Sequence, residues 1–274
     1  MSDVQHSDAR HGDGTGRRTT ARRIGSVRRE LMAVGGLALV GTVVLALLVG
    51  HSANGTDASG AWAGADSSLP RPLVDPAIVR ESEDAGKTVN LTLDDGPDPR
   101  WTPKALEILR RHGAKAVFCL TGPNAAAHPD LVRRIVAEGH RLCDHTVGHD
   151  TAMDGKPVAY QRKEILDAKR MIDEASGGAR VWYYRAPGGA FTPESRRLAA
   201  AHGMRSLGWN VDPSDYERPG ADRIVRAVQR QIAKGPTVLL HDGGGNRAQS
   251  MEALERLLPW FAASGYTFSF PRAG

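Results

Sequence analysis

Short apolar runs alternate with amphipathic stretches from residue 87 onward. The runs at 89–93, 116–120, 141–143, 181–184, 206–210, 237–240 and 266–270 predict strands. The stretches at 103–112, 129–138, 160–175, 193–202, 222–233 and 251–261 predict helices. Strands that alternate with helices are typical of an α/β fold with a parallel sheet. The polar motifs of this region stand at or just after strand ends, where the active sites of barrels form.

The N-terminal part of the chain has a different pattern. The stretch 31–50 is uncharged and, at about 20 residues, is long enough to span a bilayer. Arginines outnumber acidic residues before it, which predicts that 1–30 is a basic cytoplasmic tail. Residues 51–83 are rich in Ser, Gly, Ala, Pro and Asp and predict a flexible linker. We therefore expect one transmembrane anchor (31–50) in the cell membrane and an extracytoplasmic domain (84–274); secretion after signal cleavage is the alternative.

The charge of the chain follows this topology. The net charge is +5, and the seven arginines and four acidic residues of 1–30 contribute +3, which leaves +2 for the remaining residues. No basic cluster interleaved with aromatic residues occurs in them, so we expect no nucleic-acid partner. Nothing in the sequence implies an obligate protein partner.

Two adjacent carboxylates, Asp94 and Asp95, follow the first predicted strand in Thr-Leu-Asp-Asp-Gly-Pro-Asp. One can bind a cation while the other stays free as a base. His145 and His149 stand in His-Thr-Val-Gly-His, and their spacing predicts two imidazoles on one face of a helical turn. Two imidazoles and a carboxylate form a ligand set of hydrolytic zinc sites. Each motif alone also fits a simpler interpretation, as a solvated turn or as surface histidines.

Three further motifs complete the pattern. They are Tyr-Arg-Ala-Pro-Gly-Gly at 184–189, Trp-Asn-Val-Asp-Pro-Ser-Asp-Tyr at 209–216 and Leu-Leu-His-Asp at 239–242. In this order and spacing, the five motifs resemble the polysaccharide deacetylase family, the carbohydrate esterases of family 4 with a NodB-type homology domain. The resemblance covers the chain from about residue 87 to its C-terminus. It implies an α/β fold, an irregular (β/α) barrel of fewer than eight units, preceded here by the predicted transmembrane helix.

The resemblance implies a general base and a metal site. Asp94 is similar to the family's general base, which takes a proton from the attacking water. Asp95, His145 and His149 are similar to the ligands of one divalent metal ion. The ion is expected to be Zn²⁺, with Co²⁺ or another transition metal as alternatives. Arg185 resembles the arginine that pairs with the base and keeps it ionised; an ordinary surface salt bridge is the alternative.

The resemblance also implies a general acid. His241 is expected to protonate the leaving amine. Asp212 resembles the acid that supports this histidine and raises its pKa, although it also suits a turn. Asp215 is expected to be structural.

The substrate-facing residues depart from the common family pattern. The usual Arg-Pro-Pro-Tyr is replaced by a motif with Gly188 at the tyrosine position, whose backbone N–H can still stabilise an oxyanion. Tyr216 stands where tryptophan is usual. Trp209 and Leu239 are the other residues expected to contact the substrate. These departures concern the substrate rather than the chemistry.

Two remaining features bear on compartment and loops. Cys119 and Cys143 lie in two predicted strands, and an oxidising compartment would favour a disulfide if the strands are neighbours. Two buried free thiols are the alternative. The glycine run 243–245 lacks the ending of a nucleotide P-loop and predicts a close-approach loop beside His241.

The sequence therefore predicts a metal-dependent hydrolase that removes acetyl groups from an acetylated polysaccharide. N-acetylglucosamine in peptidoglycan or in chitin-like oligosaccharides is the favoured substrate. An O-acetyl esterase that acts on xylan would need the same residues. A sugar-binding pseudoenzyme on the same fold is disfavoured, because the base, the ligands and the acid are all present.

Overall fold

The structure is a computed structural model, and it describes residues 70–274. The predicted tail (1–30), the predicted transmembrane anchor (31–50) and most of the predicted linker (51–83) lie outside the described residues. Within 70–274, no helix is long and apolar enough to cross a membrane.

A parallel sheet forms the centre of the described domain. Its strands are β1 (Thr88–Gly96), β2 (Ala116–Leu120), β3 (Arg141–Asp144), β4 (Val181–Tyr184), β5 (Arg205–Ser206), β6 (Thr237–His241) and β7 (Thr267–Phe268). The order is β5-β4-β3-β2-β1-β6, with β7 also paired to β1, and every pair is parallel. The predicted α/β architecture is confirmed as a curled half-barrel.

Seven helices connect these strands in the described part of the chain. They are α1 (Thr102–Arg111), α2 (Gly122–Ala127), α3 (Pro129–Ala137), α4 (Val158–Ser176), α5 (Pro193–Ala201), α6 (Ala221–Gln231) and α7 (Ala248–Ala263). Prolines in the first turn start α1, α3 and α5, where the missing N–H costs no hydrogen bond. Helix α2 was not predicted, because its sequence Gly-Pro-Asn-Ala-Ala-Ala shows no apolar periodicity.

The strand predicted at 206–210 is much shorter in the structure. β5 ends at Ser206, and the following residues pair elsewhere: Leu207 forms a bridge with Val79, and Val211 forms a bridge with Val238. An apolar run can therefore leave a regular ladder and still be buried, since both Leu207 and Val211 are inaccessible to solvent. The chain thus passes beside β6 at Val211, and the later Asp215 reaches His241 at the end of that strand.

The two faces of the sheet bury different side chains. Leu93, Phe118 and Leu142 belong to the large core cluster with the helices, whereas the alternate positions form a smaller cluster around Tyr183. The predicted disulfide lies in this smaller cluster. Cys119 and Cys143 are register partners in β2 and β3, with their Cα atoms 4.2 Å apart. The disulfide therefore ties β2 to β3, the strand that ends directly before His145.

Candidate active site

The site lies at the C-terminal ends of the parallel strands. Asp94 of β1 is in register with Cys119 of β2 on one side and with His241 of β6 on the other. This alignment brings the Asp-Asp and Leu-Leu-His-Asp motifs together, although they are far apart in sequence. They border a cavity of about 370 Å³, lined by Asp94, Asp95, His145, His149, Thr151, Ala186, Gly188, Trp209, Asp212, Tyr216, Leu239, His241 and Arg247.

Three side chains converge as metal ligands would. The ligand atoms of Asp95, His145 and His149 all lie within 4.8 Å of one another. Oδ1 of Asp95 is 3.1 Å from Nε2 of His149 and 3.6 Å from Nε2 of His145. This carboxylate oxygen is buried, yet in the described chain it receives no hydrogen bond of acceptable geometry. A buried, unsatisfied oxygen between two imidazole nitrogens fits a divalent metal that prefers mixed N and O ligands.

The loop that carries the histidines is not the predicted helical turn. Thr146 and His149 have left-handed φ angles of 67° and 50°, so the segment cannot continue as a right-handed helix. Asp144 Oδ1 accepts the N–H of Thr146 at 2.8 Å. Glu164 Oε2, on α4, accepts the N–H of Val147 at 3.1 Å and that of Gly148 at 2.6 Å. Carboxylates thus replace the carbonyls of a helix as acceptors, and the two imidazoles still meet.

A backbone carbonyl fixes the orientation of the His145 ring. Its Nδ1 lies 2.7 Å from the carbonyl oxygen of Arg185, a contact that assigns the N–H to Nδ1 and leaves Nε2 toward the carboxylates. Such a second partner is typical of metal-binding histidines. Burial lowers the pKa of His145, which favours the neutral imidazole that a metal ion needs.

Asp94 pairs with Arg185, as the sequence predicts. Nη1 of Arg185 donates to Asp94 Oδ1 at 2.6 Å, and both side chains are buried, at 0% and 4% exposure. The same Nη1 donates to Thr92, and the rest of the guanidinium donates to the carbonyls of Leu207 and Gly208. The arginine is therefore a buried cation with a hydrogen bond at each of its three nitrogens, rather than a surface salt bridge. It holds the base carboxylate in one place.

The prediction that Asp212 supports His241 is wrong. Asp215 does so: its Oδ1 lies 2.6 Å from Nδ1 of His241, and its Oδ2 accepts the backbone N–H of His241 at 3.0 Å and the hydroxyl of Ser250 at 2.6 Å. Ser214 has a left-handed φ of 54°, which turns the chain so that Asp215, and not Asp212, faces β6. Asp212 lines the cavity instead, with Oδ1 accepting the N–H of Ser214 at 2.8 Å.

The charged neighbours tune two groups in opposite directions. Burial would lower the pKa of His241, but the hydrogen bond and the charge of Asp215 outweigh it and raise this pKa. Burial would raise the pKa of Asp95, but the close His149 and the charge of His145 outweigh it and lower this pKa. The site thus favours the protonated form of the His241 imidazole and the ionised form of the Asp95 carboxylate.

The predicted substrate residues all border the cavity. Gly188 has a left-handed φ of 60°, and a Cβ there would lie 3.2 Å from Thr151, so the tyrosine common in the family would meet that side chain. The N–H groups of Gly189 and Ala190 bond within the turn, which leaves that of Gly188, in residues 70–274, without an acceptor. The ring of Tyr216 is 44% exposed and packs edge-on to His241, with centroids 5.4 Å apart.

The remaining two predicted contacts are apolar. Trp209 lies over the Arg185 guanidinium, 5.5 Å from ring centroid to Cζ, and a Cβ on Gly189 would approach its ring to 3.1 Å. Leu239 is nearly buried, on β6, two residues before His241. Together with the Tyr216 ring, these groups give the cavity an apolar wall of the kind that packs against a sugar ring.

Sequence reasoning missed two residues of the site. Glu164 lies on a helix surface pattern that gave no signal of its contacts with the histidine loop. Arg247 is buried and donates to the carbonyls of Gly243 (2.5 Å), Gly244 (3.0 Å) and Tyr216 (3.3 Å). Its Nη2 lies 3.9 Å from Asp95 Oδ2. The position of Arg247 two residues after the glycine run was the one available signal.

The glycine run 243–245 lies close to Asp95 at the end of β1. A Cβ on Gly243 would lie 2.1 Å from the carbonyl oxygen of Asp95, and a Cβ on Gly244 would lie 2.6 Å from Asp95 Oδ2. The N–H of Gly243 donates to the Asp94 carbonyl at 3.3 Å. The predicted close-approach loop is therefore present, and glycine is required there for space.

The chain is similar in sequence to known proteins over most of its described part. Residues 81–207 match the family model for polysaccharide deacetylase. A chitooligosaccharide deacetylase of Bradyrhizobium sp. (strain ANU 289) is 38% identical over 191 residues, which cover 66% of this chain and 87% of that protein.

Solved structures show the same fold. The Bc1960 peptidoglycan N-acetylglucosamine deacetylase superposes with a TM-score of 0.66 at 30% identity, over 71% of this chain and 90% of that one. BA3943, a CE4 family pseudoenzyme from Bacillus anthracis, gives 0.65 at 27% identity, over 71% and 67%. This chain therefore belongs to the polysaccharide deacetylase family, carbohydrate esterase family 4, and is a hydrolase of carbon–nitrogen bonds other than peptide bonds.

Proposed function

We propose that the protein is a metal-dependent deacetylase that removes the N-acetyl group of N-acetylglucosamine in peptidoglycan or chitin-like oligosaccharides. One observation carries the proposal. Asp94 and His241 are register partners on adjacent strands, and both border the cavity that contains the three convergent ligand atoms. A base and an acid thus face one reaction space, as hydrolysis of an amide requires.

Asp95, His145 and His149 would hold the divalent ion. When bound, it would act as a Lewis acid that polarises the acetyl carbonyl and makes water easier to deprotonate. The donor set suits Zn²⁺ and also Co²⁺. The unsatisfied Oδ1 of Asp95 supports this assignment.

The side chains supply the proton transfers. Asp94 takes a proton from the attacking water, and Arg185 keeps its carboxylate oriented through the 2.6 Å contact. The N–H of Gly188 donates to the oxyanion of the tetrahedral intermediate. His241 then donates its proton to the departing nitrogen, and Asp215 stabilises the imidazolium before this step.

The general acid His241 and its partner Asp215 support an amide substrate rather than an ester. An amine is a poor leaving group until it is protonated, so amide cleavage depends strongly on a positioned acid. The hydrogen bond and the charge of Asp215 raise the pKa of His241 and so favour the protonated form that this step needs. Hydrolysis of an O-acetyl ester depends less on such a group.

We further propose that the domain acts outside the cytoplasm, attached through the apolar stretch 31–50. The charge asymmetry around that stretch supports this orientation. The Cys119–Cys143 disulfide supports an oxidising compartment. A start of the mature protein near residue 64, found by N-terminal sequencing, would favour the secreted alternative.

Acetate release from defined substrates tests the proposal. The substrates are N-acetylglucosamine tetramer, peptidoglycan fragments and acetylated xylan, each with the chelated protein and with Zn²⁺ or Co²⁺ added back. We expect release from the N-acetylated substrates only after metal is restored. Activity that survives complete metal removal would overturn the mechanism, and release from xylan alone would identify an O-acetyl esterase. An inactive metal-loaded protein that still binds the oligosaccharides would indicate a pseudoenzyme.

A further inference from the structure

Asp212 is a charged side chain of the cavity that the mechanism does not use. It lines the cavity, but His241 is supported by Asp215, three residues later. Both oxygens of Asp215 are occupied by protein donors. In Asp212, Oδ1 accepts the N–H of Ser214 at 2.8 Å, whereas Oδ2 receives no hydrogen bond and faces no ion-pair partner among residues 70–274.

The backbone of Asp212 is held from both sides by one amide. Its N–H donates to Oε1 of Gln231 at 3.1 Å, and Nε2 of Gln231 donates to its carbonyl oxygen at 2.8 Å. Gln231 is the last residue of α6, so the clamp connects the loop to a regular helix. With the backbone and one carboxylate oxygen both fixed, the second oxygen has a defined position. A fixed acceptor loses little freedom when a ligand binds.

The fold itself does not need the charge at this position. The turn with Ser214 uses one oxygen, which an asparagine would also provide. The charge instead lies at the wall of the cavity, where the second oxygen has no protein donor in residues 70–274 and is available to a ligand. Asp212 lines the cavity together with Asp94, Asp95 and His241.

The cavity defines what this acceptor would contact. Trp209, Tyr216 and Leu239 give it apolar walls, which suit the faces of a sugar ring. A pocket of this kind orients its ligand through a few placed polar groups, and a carboxylate accepts a hydroxyl proton in a strong, charge-assisted bond. A negatively charged substituent at the same place would be repelled.

We propose that Asp212 is a specificity residue that accepts a hydrogen bond from a hydroxyl group of an uncharged sugar ring of the substrate. The inference rests on the proposed deacetylase function and adds the class of group that this side of the site selects. It also assigns the two acids of the Asp-Pro-Ser-Asp loop to separate tasks: Asp212 contacts the substrate, and Asp215 sets the proton affinity of His241.

The test is a comparison of KM and kcat for Asp212→Asn with metal-loaded protein and N-acetylglucosamine tetramer. Asparagine keeps the turn and the Gln231 clamp but removes the charge. We expect KM to rise roughly 10- to 100-fold, kcat to stay within about threefold of wild type, and the pH profile of kcat to be unchanged. Asp222→Asn, an exposed acid of α6 paired with Arg256, is the matched control and should change neither constant.

Three outcomes have distinct meanings. An unchanged KM for Asp212→Asn would overturn the inference while the deacetylase function stands. A fall in kcat with a displaced pH profile would also overturn it, because Asp212 would then act through His241. Wild-type protein that releases no acetate would refute the proposed function and this inference with it. If Asp212→Asn is unstable, a binding titration decides. The tetramer is titrated into the inactive Asp94→Asn variant and into the double variant Asp94→Asn with Asp212→Glu. Glutamate keeps the charge but displaces the oxygen, so the double variant should bind the tetramer more weakly.

Discussion

The ligand side and the proton side of the site are built in different ways. On the ligand side, Asp95 and His149 have left-handed φ angles of 72° and 50°, which are rare for residues other than glycine. On the proton side, His241 is the last residue of the regular strand β6. Strand register therefore places the backbone of the acid, whereas the ligands depend on an irregular backbone that the surroundings must hold in place.

The supports of the two sides differ accordingly. Two acidic side chains hold three consecutive backbone N–H groups of the histidine loop: Asp144, at the end of β3, accepts one, and Glu164, on α4, accepts the other two. His241 is held by Asp215 directly, at both its ring and its backbone. Mutation of a support should therefore affect metal affinity on the ligand side and proton transfer on the proton side.

The largest effect on kcat should come from mutation of the adjacent acids Asp94 and Asp95. The two variants distinguish loss of the base from loss of the metal. We expect Asp94→Asn to reduce kcat about 1,000-fold, because the base is lost, while the metal content of the protein stays as in wild type. Asp95→Asn should lose metal as well as activity. Metal content by elemental analysis and acetate release check both variants. Near-normal turnover by Asp94→Asn would show that another group is the base.

Asp215→Asn should have the next largest effect and should leave the ligand side intact. We expect kcat to fall about 100-fold, because the imidazolium of His241 loses its anionic partner. Asp215 raises the pKa of His241, and activity that needs the protonated form is lost as pH rises through this pKa. Removing the charge lowers the pKa, so the alkaline limb of the kcat profile should move to lower pH.

Metal affinity provides the control for that variant. Chelator competition should give the same zinc affinity for Asp215→Asn as for wild type. An alkaline limb that stays in place would contradict the assignment of His241 as the acid.

Glu164→Gln should produce a smaller effect, confined to the ligand side. The charge that attracts the N–H groups of Val147 and Gly148 is lost, so the histidine loop should be less well ordered before metal binds. We expect zinc affinity to fall about tenfold, with kcat close to wild type once metal saturates the site. Glu174→Gln is a matched control, because Glu174 lies on the same helix and pairs only with the exposed Arg170 in the described chain. Equal affinities for the two variants would count against a role for Glu164.

The same contrast explains what the sequence could predict. The strands follow from the apolar runs. The meeting of the motifs in space follows as well, since parallel strands bring their C-terminal ends to one edge of the sheet whatever connects them. The pairing of Arg185 with Asp94 followed from the family resemblance. The choice between Asp212 and Asp215 did not follow, because it depends on the backbone between them, where Ser214 has a left-handed φ.

The histidine loop shows a second limit of sequence reasoning. An i, i+4 spacing predicts a helical turn only when backbone carbonyls are the acceptors. Here Glu164, from a distant helix, accepts the loop N–H groups instead. Such a contact between distant segments leaves no local pattern in the chain, and neither does the clamp of Gln231 on Asp212.

Loss of the disulfide should have the smallest effect on turnover, although Cys143 lies only two residues before the ligand His145. Cys119 and Cys143 join β2 and β3 across a sequence separation of 24, so their removal frees a loop of the unfolded chain. We expect Cys119→Ala with Cys143→Ala to lower the free energy of unfolding by about 3 kcal/mol, measured in urea. Both alanines stay within buried strands, so kcat with saturating metal should change little. A thiol titration of the denatured, unreduced wild type should find no free thiol, and a large loss of zinc affinity in the double variant would show that the bond also holds the ligand loop.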